Sequence, residues 1–227
     1  MKKKIFSIAL VACIVVLSIA GASVAYFTDT DDVTNVFTVG NVDIQLTEAK
    51  VMTDDNGWHI VAVDPEERVA STDMNYKEIR TLWPGQTVHK DPTIENIGSE
   101  KAYVGAKITL SGASTLLANK EAVLDFLSGG ALAVDENNTV VYTTDGTDVV
   151  VYVVIASALD GANDTDPDAV KEVMLFDTVV IPAGWNNAQM ALLEDFSIKV
   201  EAFATQEAGF ANADAALAAA FPDVFDF

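Results

Sequence analysis

The chain of 227 residues contains one cysteine, Cys13, and two histidines, His59 and His89. Cys13 lies inside an uncharged N-terminal run, so the body of the chain carries no thiol. Disulfide frameworks, thiol nucleophiles and thiolate metal sites are excluded there. His59 and His89 stand far apart in sequence and no HExxH helix exists, which removes the usual zinc-protease arrangement. A G-x-S-x-G elbow and a phosphate-cradling glycine loop are also missing. Positive charge is equally scarce: 13 Lys+Arg face 34 Asp+Glu, a formal net charge of −21. Lys2, Lys3 and Lys4 sit ahead of the uncharged run, and without them 34 acids face 10 bases, a charge of −24. Such a body repels phosphate backbones and anionic lipid, which argues against nucleic-acid binding and polybasic membrane attachment. With 50% hydrophobic residues, the chain is too apolar for charge-driven disorder.

What is present begins with an address. Three lysines, an apolar stretch from Ile5 to about Ala20 and the small residues Gly21-Ala22-Ser23-Val24-Ala25 have the order of a secretory signal peptide. Ser23 and Ala25 suit the −3 and −1 positions, so cleavage is expected between Ala25 and Tyr26. The same run is about long enough to span a bilayer as an uncleaved anchor. Cys13 is followed by Ile14-Val15-Val16-Leu17 rather than a soluble start, and reads as a passive residue of the signal helix rather than a lipid-attachment site.

Beyond it, short runs with period-two alternation or β-branched composition predict strands. They cover Val36 to Leu46, Trp58 to Val63, Thr87 to Glu95, Ala102 to Leu110, Thr139 to Thr143, Val149 to Ala156, Asp177 to Ile181 and Phe196 to Thr205. Val149 to Ala156 is apolar almost throughout, as in a strand covered on both faces. Turn signals separate the runs: Asp55-Asn56-Gly57, Trp83-Pro84-Gly85, Asn96-Ile97-Gly98, Asp145-Gly146 and Pro182-Ala183-Gly184. Short helices are expected at Asn119 to Leu127 behind an Asn cap, at Pro167 to Phe176, and at Asn212 to Phe221 before Pro222. The fold class predicted is mainly β, a jelly-roll-like β-sandwich with a few short inserted helices behind a signal peptide. The expected divisions are 1–25 for the signal peptide, 26–48 for an N-terminal segment and 49–227 for one β-sandwich domain.

Candidate chemistry is thin, and no catalytic residue is assigned. Oxygen donors recur at alternate positions around Asp160, Asp164, Asp166 and Asp168, a composition that suits calcium. Counting from Asp164, however, EF-hand positions six and twelve fall on Ala169 and Leu175, and a solvated hairpin or helix-entry loop is the competing reading. No other cofactor is indicated. An interaction role therefore leads, and a cysteine-free β protein can join copies of itself through strand edges. The candidate donor strand runs from Thr34 to Leu46, with Val36, Phe37, Val39, Val42, Ile44 and Leu46 as its apolar residues. The competing reading tucks that strand permanently into its own sheet. A surface-adhesion module gripping a ligand through aromatics near Trp58 or Trp185 is a further possibility.

Three stretches together resemble the TasA/camelysin family of secreted Gram-positive proteins. One runs from Gly21 to Thr30 and on through Asn35-Val36-Phe37-Thr38-Val39-Gly40-Asn41-Val42-Asp43-Ile44, and looks like a region processed by a SipW-type signal peptidase. Another is Leu82-Trp83-Pro84-Gly85-Gln86-Thr87-Val88-His89-Lys90-Asp91-Pro92-Thr93-Ile94-Glu95-Asn96-Ile97-Gly98, ahead of Ala102-Tyr103-Val104. The last spans Leu192 to Gln206; between Gly112 and Asp177 nothing is distinctive. The resemblance implies a jelly-roll protein exported through that peptidase, self-associating into fibres of an extracellular biofilm matrix or cell surface, with other matrix or cell-wall components as further partners. It also implies that the N-terminal segment completes a neighbouring subunit's sheet. Camelysins have been described as cell-surface metallopeptidases, which makes a peptidase the enzyme alternative, with His59 and His89 as its only nitrogen ligands.

Overall fold

The computed structural model describes residues 28–32, 34–35, 42–54, 59–64, 67–70, 82–134, 137–193 and 196–227. The expected signal peptide, the cleavage pair Ala25 and Tyr26, and the donor residues Val36, Phe37 and Val39 lie outside them.

The described chain is mainly β, with several sheets and a few short helices. Its backbone is the hairpin β11 (Thr139–Asp145) and β12 (Asp148–Val154), turned by Gly146 at φ +62°, the left-handed first position of a type II′ turn. β12 pairs antiparallel with β9 (Ala102–Leu110), and β9 with β15 (Ile198–Gln206). Outside β15 lie β1 (Thr28–Asp32) and β2 (Thr34–Asn35), giving the order β11-β12-β9-β15-β1-β2. The second sheet has the order β13 (Glu172–Met174), β8 (Thr93–Asn96), β3 (Ile44–Ala49), β6 (Arg68–Ala70). The third runs β10 (Leu127–Ser128), β14 (Thr178–Val180), β7 (Thr87–His89), β5 (Ile60–Ala62), β4 (Val51–Thr53), with β5 and β7 parallel.

One apolar cluster draws on all three sheets: Val104, Ile108 and Leu110 of β9 meet Val149 and Val151, Ile44 and Ile94, and Val88 and Val179. β9 and β12 are apolar beyond simple alternation because their other face is covered too. Helix α4 (Ala213–Ala220) and the chain end pack there, Leu217 and Phe225 meeting Tyr103, Val154 and Phe203. Gly105 makes that layer possible: a Cβ on it would lie 2.8 Å from Leu217 Cδ1, 2.9 Å from Phe225 Cζ and 2.9 Å from the Val153 carbonyl. The helix itself starts behind Asn212, the first residue of the predicted run, whose side chain accepts from Ala215 N. Likewise α1 (Lys120–Phe126) begins behind Asn119, which accepts from Ala122 N. The remaining helices, α2 (Gly130–Val134) and α3 (Asn187–Ala191), are one-turn pieces that periodicity did not reveal; α3 is held by a capping box of Asn186 and Gln189.

Three expectations need correction. The run Thr87 to Glu95 is two strands in different sheets, β7 and β8, because Pro92 has no N–H for a continuous ladder. Its carbonyl instead accepts from Leu175 N at 2.9 Å. The helix expected at Pro167 to Phe176 does not form. Asp164 and Asp166 side chains accept from the N–H groups of Asp166 and Asp168, making turns that compete with a helix, and Glu172–Met174 becomes β13 against β8. The expected division between 48 and 49 falls inside β3.

Candidate functional site

Two places stand out: the N-terminal strand, and the charged junction of the second and third sheets. β1 runs antiparallel along β15, with Thr28 opposite Thr205, Asp29 opposite Ala204, Thr30 opposite Phe203 and Asp31 opposite Ala202. β15 would otherwise be an edge on that side, since its opposite side pairs with β9. Thr28 follows the expected cleavage pair by two residues. At the head of this seam the Thr205 side chain is fully buried, and its hydroxyl has no hydrogen-bond partner among the described residues.

Of the predicted donor strand, Thr34 and Asn35 form β2 beside β1, while the part from Val42 onward sits elsewhere. Val42, Ile44 and Leu46 are buried in the central cluster, and Ile44 to Thr47 pair with Asn96 to Thr93 of β8. The structure thus brings Val42, Ile44 and Leu46 together in the central cluster, with Ile44 and Leu46 on a strand of a different sheet from β1.

Why β3 and β6 stay in place is settled by a charge network that the sequence patterns did not reveal. Arg68 on the edge strand β6 donates from Nε to Thr47 Oγ1 at 3.0 Å and from Nη1 to Asp91 Oδ2 at 2.6 Å. Its Nη2 donates to the Asp91 carbonyl at 2.7 Å, to Thr93 Oγ1 at 2.7 Å and to the Thr47 carbonyl at 3.2 Å. The other Asp91 oxygen accepts from Ala49 N at 2.9 Å, and His89 Nε2 lies 3.5 Å from Asp91 Oδ2. Burial pushes the Asp91 carboxyl up, but the adjacent His89 ring, the hydrogen bonds from Ala49 N and Arg68 and the guanidinium charge outweigh it and hold the group below its ordinary value. Alongside, Lys90 Nζ grips both oxygens of buried Glu48 at 2.9 Å. Two positive and two negative groups therefore neutralise one another where the second and third sheets meet.

The predicted calcium loop is organised by ammonium groups. Lys101 Nζ meets Asp160 Oδ1 at 2.5 Å, and Lys171 Nζ donates to the carbonyls of Ala162 and Asp164 at 2.8 Å each. Hydrogen bonding to Lys101 and to Val170 N holds the Asp160 carboxyl below its ordinary value, and Asp160 holds the Lys101 ammonium above its own. Asp164, Asp166 and Asp168 do not converge: among the described residues no group of three or more His, Cys, Asp or Glu could hold a metal ion. Of the two histidines, His59 accepts at Nδ1 from Thr87 N at 3.1 Å, so that nitrogen is already used. Trp185 is partly buried and stacks on Phe126 at 6.0 Å; Trp58 lies outside the described residues.

A further staple explains part of the segment Leu82 to Gly98. Asn96 is 1% exposed, donates from Nδ2 to the carbonyls of Glu100 at 2.8 Å and Asp160 at 3.1 Å, and accepts from Gly98 N. Gly85, at φ +82°, occupies the turn closed by Gln86 N on the Trp83 carbonyl, where a glycine suits the third position of a type II turn.

No family model, no curated protein and no solved structure matches the chain.

Proposed function

We propose that the protein is an exported structural subunit of an extracellular or cell-surface matrix fibre. In this reading a SipW-type signal peptidase cleaves before Tyr26, and the new N-terminus then pairs with a neighbouring jelly-roll-like sandwich by strand exchange. The observation that carries the proposal is the position of β1: a short strand, two residues past the expected cleavage pair, laid on the edge of β15. A strand that pairs through a backbone ladder can be supplied by a second copy with the same hydrogen bonds, since the ladder carries no requirement that donor and acceptor share a chain. Cleavage would free that strand from its leader.

The donor is therefore placed at Thr28 to Asn35 rather than at Thr34 to Leu46. Val42, Ile44 and Leu46 belong to the central cluster, and withdrawing three apolar side chains from it would cost roughly 5–9 kcal/mol at about 1.5–3 kcal/mol each. The test is electron microscopy of the processed chain, Tyr26 to Phe227, with and without Thr28 to Asn35. Loss of fibres with an unchanged melting curve of the body supports the proposal; fibres of normal length in the deletion variant contradict it.

A further inference from the structure

Among the described residues no strand pairs with the outer side of β11, the other end of the six-stranded sheet, and the chemistry of that edge is self-complementary. In the two-residue hairpin the flanking pair Asp145 and Asp148 exchange hydrogen bonds, so bonding to β12 alternates at Asp145, Thr143, Val141 and Thr139. Val140, Tyr142 and Thr144 therefore aim their N–H and C=O groups outward. The Val140 carbonyl accepts from Lys120 Nζ at 3.0 Å, which agrees with that direction. No other outward backbone group of these three residues has a partner among the described residues. The strand, Thr-Val-Val-Tyr-Thr-Thr-Asp, has no lysine, proline or bulge to protect it, and six of its seven residues are uncharged with high β-propensity.

We propose that this edge pairs with the same edge of a second copy of the chain, antiparallel about a two-fold axis at Tyr142. This interface lies at the sheet end remote from β1 and stands independently of the N-terminal exchange. The register places Tyr142 opposite Tyr142, Val140 opposite Thr144, and Thr139 opposite Asp145. Each outward N–H then meets an outward C=O, for six backbone bonds across the axis. A carbonyl oxygen has two lone pairs, so Val140 can keep Lys120 while accepting from the partner's Thr144.

Charge selects this register. Asp145, the one ionised residue of the strand, does not face its own copy. Instead it falls opposite Thr139, one residue from the Val140 carbonyl that Lys120 occupies, so each cation lies beside the partner strand's carboxylate. On a chain of net charge −21 this is a local exception to general repulsion, and salt, which screens the long-range term more than the close pair, is expected to favour the pairing.

Sedimentation velocity of the processed chain at low and high salt, with two variants, tests the proposal. Thr144→Pro removes an outward N–H that makes no bond to β12, at an edge position where proline is tolerated. It is expected to lower self-association at least tenfold without changing the circular dichroism spectrum. Lys120→Glu brings a carboxylate beside the partner's Asp145 and is expected to weaken association several-fold, most at low salt. Should Thr144→Pro fail to fold, Lys120→Glu carries the test alone. Folded variants that associate like the parent overturn the proposal, as does a parent chain that stays monomeric at high salt and high concentration.

Discussion

Replacing Arg68 by methionine keeps a long apolar stem on β6 and removes every charged contact it makes. Asp91 would keep the Ala49 N–H, but its carboxylate, with a side chain 4% exposed, would lose the guanidinium. A buried charge stripped of its partner typically costs about 3–5 kcal/mol. For a chain of this size each kcal/mol shifts the melting temperature by about 2–4 °C, so Arg68→Met is expected to lower it by roughly 6–20 °C. Urea unfolding followed by circular dichroism gives the free energy directly. Asp91→Asn in the Arg68→Met background removes the orphaned charge and should recover stability, with a coupling energy of about 1–3 kcal/mol. The pH dependence follows with a definite sign. The folded Asp91 carboxyl titrates below its ordinary value of 3.8, so its contribution is full at neutral pH and is lost as pH falls through that value toward the folded one. Without Arg68 the carboxyl loses a stabilising partner, and acid unfolding should begin at higher pH. An Arg68→Met protein within 0.5 kcal/mol of the parent (about the ordinary surface variation), or strict additivity with Asp91→Asn, would refute the reasoning.

Other outcomes are equally specific. Gly105→Val forces a side chain against Leu217, Phe225 and the Val153 carbonyl, and is expected to cost about 2–3 kcal/mol by overpacking, read as a lowered urea midpoint. Asn96→Ala removes a buried side chain that donates to the Glu100 and Asp160 carbonyls and accepts from Gly98 N, and should destabilise by about 1–3 kcal/mol in the same assay. At matched ionic strength calcium and magnesium should affect stability and assembly alike, because Lys101 and Lys171 already hold the oxygens around Asp160 and Asp164; a calcium-specific rise in melting temperature would show a site. Added salt should speed assembly, since the processed chain carries −24 and its repulsion is screened over a Debye length of about 8 Å at physiological salt.

The strands β9, β11, β12, β14 and β15 were legible because they obey local rules. Ala102–Leu110 matches its predicted bounds, and Asn119 announced its helix through a cap whose bond is local. The legible signal ended where long-range partners decide. Glu48 looks like a solvent residue until Lys90, 42 positions away, meets it. Arg68 sits in a three-residue strand too short to show a period, and its five hydrogen bonds go to Thr47, Asp91 and Thr93 from two other segments. The run of acids from Asp160 to Asp168 suggested a cation, and cations are there, but as the ammonium groups of Lys101 and Lys171. Apolar alternation at Val42, Ile44 and Leu46 marked a strand, and all three side chains are buried in the central cluster.

The account stands or falls on what the N-terminal strand does between chains. Electron microscopy of the processed chain, alone and in the presence of an excess of a peptide spanning Tyr26 to Asn35, is the most direct measurement. Strand exchange predicts that the free peptide occupies the β15 edge and shortens or abolishes the fibres. Fibres of unchanged length and number under saturating peptide would contradict it.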